Sequence, residues 1–161
     1  MSPKLSMGRR LVVALATGFG LGWSPFASGT VGSLWGPPLM WGVLQLPGLG
    51  WQVACAAALA LLAIPICDVA EKHYGKKDDG RIVADEFMTF PICMLGLPFT
   101  PWVIAMCFVS NRIFDILKLP PAHGLQRLTG GLGIVIDDVL ATIYSLAFNH
   151  LAYYLIMRYI A

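Results

Sequence analysis

Five carboxylates stand at three places in an otherwise apolar chain: Asp85 with Glu86, Asp115 alone, and Asp137 with Asp138. A further adjacent pair, Asp78 and Asp79, falls in a polar turn. A carboxylate beside hydrocarbon is costly unless something positive neutralises it. Adjacent anions also repel, and a divalent cation relieves both costs. Ligation by carboxylate oxygen alone suits Mg²⁺ better than zinc. Arg112 and Lys118 flank Asp115, and Mg²⁺ with Arg and Lys nearby suits a phosphoryl group in transfer. The residue types point to metal-dependent phosphoryl chemistry at a membrane surface.

The spacing gives each group a competing, ordinary explanation. On a helix, Asn111, Arg112, Asp115 and Lys118 share an arc of about 120°, which also describes a salt-bridged surface face. Asp138, Thr142, Ser145 and Asn149 recur at i, i+4, i+7 and i+11. Such a stripe on an apolar helix faces a bundle interior. Helix–helix hydrogen bonding explains Thr142, Ser145 and Asn149 but not the adjacent acids Asp137 and Asp138. Asp85 and Glu86 open an apolar stretch, where acids are common dipole partners of a helix start. Thr30 and Ser33, in the run Ser28-Gly29-Thr30-Val31-Gly32-Ser33, read as a hydroxyl-rich cap or as donors to a phosphate. Gly130, Gly131 and Gly133 let backbone approach a ligand. His73, His123 and His150 are scattered and receive no catalytic role. Gly18-Phe19-Gly20-Leu21-Gly22 has neither the spacing nor the preceding strand of a dinucleotide fingerprint.

The elements that must position these groups are helical and lipid-facing. The chain has 161 residues, 57% of them apolar and only 12% charged. About 25% is usual for soluble domains, and so few charges cannot cover a water-facing surface. One domain, residues 1–161, is expected, with 1–10 as a basic tail. A net charge of +2 without a basic, aromatic-interleaved patch excludes a nucleic-acid binder. Cys55, Cys67, Cys93 and Cys107 lie in apolar stretches with no C-x-x-C pair and read as packing residues. Lys4, Arg9 and Arg10 before the apolar run 11–16 resemble a signal peptide, but no small-residue cleavage site follows, so the segment is read as mature protein.

A short helix is predicted over 11–17, a glycine-rich loop over 18–30 and an apolar helix over 31–46 that Pro37 and Pro38 kink or interrupt. Residues 51–70 form the strongest spanning candidate, since twenty helical residues rise about 30 Å. Residues 71–84 read as a hydrated loop, 85–97 and 102–118 as a second apolar pair, 119–133 as a loop and 134–160 as a long final helix. Ten of the eleven Lys and Arg residues fall in the tail, the 71–84 loop and the 112–127 region, which the positive-inside rule places on the cytoplasmic side. All the candidate residues then gather at the cytoplasmic interface.

Several stretches together resemble one family, phosphatidylglycerophosphatase A: Gly18-Phe19-Gly20 with Ser24-Pro25, Gly29-Thr30-Val31-Gly32-Ser33, Ile82-Val83-Ala84-Asp85-Glu86-Phe87, Arg112 to Lys118, and Gly130 to Asp138. They occur in family order over most of 17–141. Against the family pattern, Ser28 replaces Pro, Ala84 replaces Trp and Asn111 replaces an aromatic residue. The resemblance implies an all-α, membrane-embedded bundle with partly broken helices around a central one. It also implies a Mg²⁺-dependent hydrolase of phosphatidylglycerophosphate in the bacterial inner membrane, with the site facing the cytoplasm. On that basis Glu86, Asp115, Asp137 and Asp138 are expected to bind metal, with Asp85 as ligand or base. Arg112, Lys118, Thr30 and Ser33 are expected to hold the phosphate. Histidine-type lipid phosphatases and CDP-alcohol phosphotransferases fail on motif. The remaining rival is a small ion-coupled transporter or assembly subunit with buried acids, which would release no phosphate.

Overall fold

A computed structural model describes residues 6–125 and 128–159, leaving aside the side chains of residues 122 and 123. Lys4, Arg127 and the His123 side chain, used in the sequence reading, lie outside the described residues. The described chain is all-helical, with no strand. The basic tail is shorter than expected: α1 runs Met7–Ala16, capped by the Ser6 side chain, so Arg9 and Arg10 stand on a helix. After a 3₁₀ segment over Gly18–Trp23 come α2 (Ser28–Gly32), a 3₁₀ turn over Ser33–Trp35 and α3 (Gly36–Val43). The expected kink at Pro37-Pro38 is absent. These prolines occupy the first turn of α3, where the missing N–H has no helical partner to lose.

α4 runs Leu49–Tyr74 between Gly48 and a left-handed Gly75. It extends past the expected 51–70 because Glu71, Lys72 and His73 continue the helix. α5 (Ala84–Thr89) and a 3₁₀ segment over Phe90–Met94 replace a single 85–97 helix. α6 (Pro101–Leu117) begins on a proline, and α7 (Ala122–Leu125) precedes α8 (Gly131–Tyr159). α4 and α8 are 26 and 29 residues long, and both are apolar enough to cross a membrane. α8 is central: it packs against α4, α5, α6, α7 and the 90–94 segment.

One of the glycines before Asp137 has a packing role. A Cβ at Gly131 would collide with the Ile64 carbonyl of α4. Its hydrogen lets α8 sit against α4, so Gly131 serves helix packing. Below it, two apolar clusters form. One joins Ala63 and Cys67 of α4 to Val83, Phe87 and Val135. The other joins Met40, Phe90, Met94, Val103 and Cys107. All four cysteines are free, three of them buried, as their apolar contexts predict.

Candidate active site

The acids converge because three helix ends meet. α5 starts at Ala84, so Asp85 and Glu86 occupy its first turn. α8 starts at Gly131, so Asp137 and Asp138 lie in its second turn, both about 6% exposed. α6 brings Asn111, Arg112 and Asp115 along its last two turns. Lys118 caps α6 in the left-handed conformation (φ 44°), an uncommon state for a side chain of this length. Its Nζ donates to Asp137 Oδ2 at 2.8 Å.

A polar chain links the elements. Arg112 Nη1 meets Glu86 Oε2 at 3.1 Å and Nη2 meets Asp115 Oδ2 at 3.0 Å. Ser33 Oγ lies 2.9 Å from Glu86 Oε2 and 2.8 Å from the Gly29 carbonyl, and accepts from Arg112 Nη1 at 3.4 Å. A Cβ at Gly29 would strike the Glu86 carboxylate, so only glycine lets α2 approach α5 this closely. Ser28, expected in the cap, instead donates to the Gly80 carbonyl, and the capping position is Ala27. Thr30 lies half-buried on α2, three residues before Ser33, and Ser33 alone of the two is bonded to the acid cluster.

Asp78, Asp85, Glu86, Asp115, Asp137 and Asp138 line one cavity of about 210 Å³, with Lys118, Ile116 and Ile134 completing its wall. The acids far apart in sequence thus share a single space. Asp78 was missed as a site residue because its polar neighbours mark a solvated loop. The signal was its place in an adjacent acidic pair. Six carboxylates face two cations, Arg112 and Lys118. Asp85 Oδ1 and Asp137 Oδ1 are buried without a hydrogen-bond partner, as are Asn111 Oδ1 and Arg112 Nε. Buried polar atoms are seldom left so. Burial, reinforced by the charges of Glu86 and Asp78, holds the Asp85 carboxyl well above its ordinary range. Burial also raises Glu86 from 4.5 to about 7, against the lowering effect of Arg112. At Lys118 burial lowers the pKa, but the hydrogen bond and charge of Asp137 outweigh it and the net shift is upward.

The donor set is oxygen-only, anionic and partly orphaned, which fits a hard divalent cation. Among the described residues no three His, Cys, Asp or Glu side chains close on one point as a finished metal site. Arg112 holds Glu86 and Asp115, and Lys118 holds Asp137.

Residues 14–153 match the family model for phosphatidylglycerophosphatase A. The chain belongs to that family. It is 38% identical to the Escherichia coli K12 phosphatidylglycerophosphatase A over 81% of this chain and 77% of the relative. It is 40% identical to the Haemophilus influenzae protein of the same name, over 81% and 82%. A Bacteroides thetaiotaomicron protein, provisionally named a phosphatidylinositol-3-phosphatase, is 35% identical over 84% and 89%. No solved structure gives a significant match. This family member is a phosphatase, and apart from Asp78 the acid cavity is built from the stretches that carry the resemblance.

Proposed function

We propose that the protein hydrolyses phosphatidylglycerophosphate to phosphatidylglycerol and inorganic phosphate, with Mg²⁺ held in the acid cavity. The observation that carries this reading is the convergence of Asp85, Glu86, Asp115, Asp137 and Asp138 on one space beside Arg112 and Lys118. Two relatives named for this activity support the head group. The two candidate spans, and the clustering of Lys and Arg in the tail, the 71–84 segment and the 112–127 region of the sequence, support a site at the cytoplasmic face of the bacterial inner membrane.

Glu86, Asp115, Asp137 and Asp138 would hold the ion, and Asp85 Oδ1 and Asp137 Oδ1 are the free acceptors. When bound, Mg²⁺ supplies Lewis-acid polarisation of the phosphoryl oxygens and offsets the surplus of anions. Arg112 and Lys118 bind phosphoryl oxygens, exchanging part of their contact with Glu86, Asp115 and Asp137 for the substrate. Ser33, bonded to Glu86, and Thr30 on α2 would supply hydroxyl donors to the phosphate. Asp85, in its ionised form, takes the proton from the attacking water. Water's oxygen bonds to phosphorus as the bond to the glycerol oxygen breaks, and Asp85 passes the proton it took from water to that glycerol oxygen.

Phosphate release from the lipid in detergent tests the proposal, with and without Mg²⁺, for wild type and Asp138→Asn. Turnover that needs Mg²⁺ and collapses in the variant is expected. Mg²⁺-independent turnover, or full activity of Asp138→Asn, removes the assignment.

A further inference from the structure

A second cavity shares no lining residue with the first. It is an open cleft of about 730 Å³ bounded by α1, the 18–23 segment and the cytoplasmic-side end of α4. Apart from Thr17, its polar lining carries cationic or aromatic side chains: Arg10, His73, Tyr74, Arg81 and Trp23. The Arg81 guanidinium lies 3.8 Å from the Tyr74 ring centre and 5.2 Å from that of Trp23, and it is anchored by Asp79 at 2.7 Å. Arg10 is exposed and makes no ion pair among the described residues.

An apolar groove adjoins the cleft at Phe19. Phe19 lines both spaces. The groove has a volume of about 320 Å³ and is walled by Leu15, Trp35, Pro38, Leu39 and Phe87 with almost no polar surface. Arg10 belongs to the cleft and Leu15 to the groove, about 140° apart around α1, so the two spaces meet at Phe19, past the end of that helix. Phe19 stands at the junction, 70% exposed, in the left-handed region at φ 54°. Its backbone is pinned there: the Trp35 indole N–H donates to the Gly18 carbonyl at 3.0 Å and Gly20 N donates to the Thr17 carbonyl at 3.1 Å. A cationic mouth joined to a hydrocarbon slot has the chemistry of an anionic glycerophospholipid, with its phosphate at Arg10 and Arg81 and an acyl chain along Leu15, Leu39 and Phe87.

We infer that this cleft and groove bind one anionic phospholipid of the surrounding leaflet at a site separate from the acid cavity. The bound lipid braces α1 against α4 and α3 beside α5. Arg10 gives selectivity for a negative head group and the groove gives the requirement for a chain.

The test is native mass spectrometry of the full chain in detergent, titrated with phosphatidylglycerol or with phosphatidylcholine. One phosphatidylglycerol should be retained at least about tenfold better than phosphatidylcholine. Arg10→Glu, a charge reversal at an exposed position, should lower that retention about tenfold or more, and Arg10→Gln about fivefold. Leu39→Trp, which fills the groove, should lower it for either lipid, and Asp138→Asn should leave it intact. Soluble glycerol phosphate should not compete. Three results would each overturn the inference: equal retention of the two lipids, loss in Asp138→Asn with no change in both Arg10 variants, or displacement by glycerol phosphate. The Arg10→Gln arm decides if circular dichroism shows Arg10→Glu to be unfolded.

Discussion

α8 carries two sets of polar groups that treat hydrogen bonding in opposite ways. Toward its middle, Asn149 Nδ2 donates to the Cys93 carbonyl at 3.0 Å and to Ser145 Oγ at 3.1 Å. Its Oδ1 accepts from Ser110 Oγ at 2.8 Å, and Ser110 and Ser145 meet at 2.7 Å. Thr142 bonds back to the Val139 carbonyl. This set is buried, mutually satisfied and closed, and it ties α6, α8 and the 90–94 segment together. Near the helix start, Asp137 and Asp138 face an open cavity with four other acids, and Asp137 Oδ1 has no partner. Polar groups that satisfy one another hold a fold, whereas groups left in want of a partner beside a cavity are placed for something that arrives later.

Mutation separates the two sets. The largest effect is expected from Asp138→Asn, which should cut phosphate release on the order of 10³-fold while far-UV circular dichroism and melting stay near wild type. Arg112→Lys keeps the charge but loses the fork that spans Glu86 and Asp115. A fall of about 10²-fold in kcat/KM is expected from steady-state kinetics. Asn149→Ala should do the reverse. Leaving Ser110 and the Cys93 carbonyl short of partners should cost about 2 kcal/mol in denaturant unfolding, with the Mg²⁺ concentration for half-maximal activity unchanged. If Asn149→Ala shifted that Mg²⁺ requirement instead, the division between the two sets would fail.

The last prediction concerns pH. Glu86 lies outside the two candidate spans, and its folded value of about 7 exceeds its ordinary 4.5. A raised carboxyl favours the protonated folded state, so its contribution to stability is full below 4.5 and is lost as pH rises to about 7. Metal-free protein should therefore lose up to about 1.4 kcal/mol per pH unit across that window and level off above it. Thermal melts with EDTA should show the decline, and Mg²⁺ should flatten it. A metal-free melt that stays level from pH 4.5 to 7 would place Glu86 among groups already neutralised.

Much of this arrangement was legible in the residues. Low charge and long apolar runs gave an all-helical chain, and adjacent acids in hydrocarbon marked Asp85, Glu86, Asp137 and Asp138, because no local structure offsets such a cost. Two kinds of information stayed out of reach. Helix ends depend on tertiary contact, so the 85–97 stretch reads as one helix although α5 ends at Thr89 and a tighter turn follows. Direction in space is also not local. Asp78 sits among lysines in sequence yet lines the cavity, and Gly130 and Gly131 precede the acids yet face α4. The Arg112–Asp115 pair looked like a surface bridge until Glu86 and Ser33, some 26 and 79 positions away, completed it.

Position 29 illustrates how little slack this corner leaves. The volume that an alanine methyl would need is already taken by an oxygen of Glu86. A single added carbon on α2 and a single proton gained or lost on α5 therefore press on the same carboxyl group. Backbone spacing and acid strength are one adjustable quantity there, and neither can drift without resetting the other.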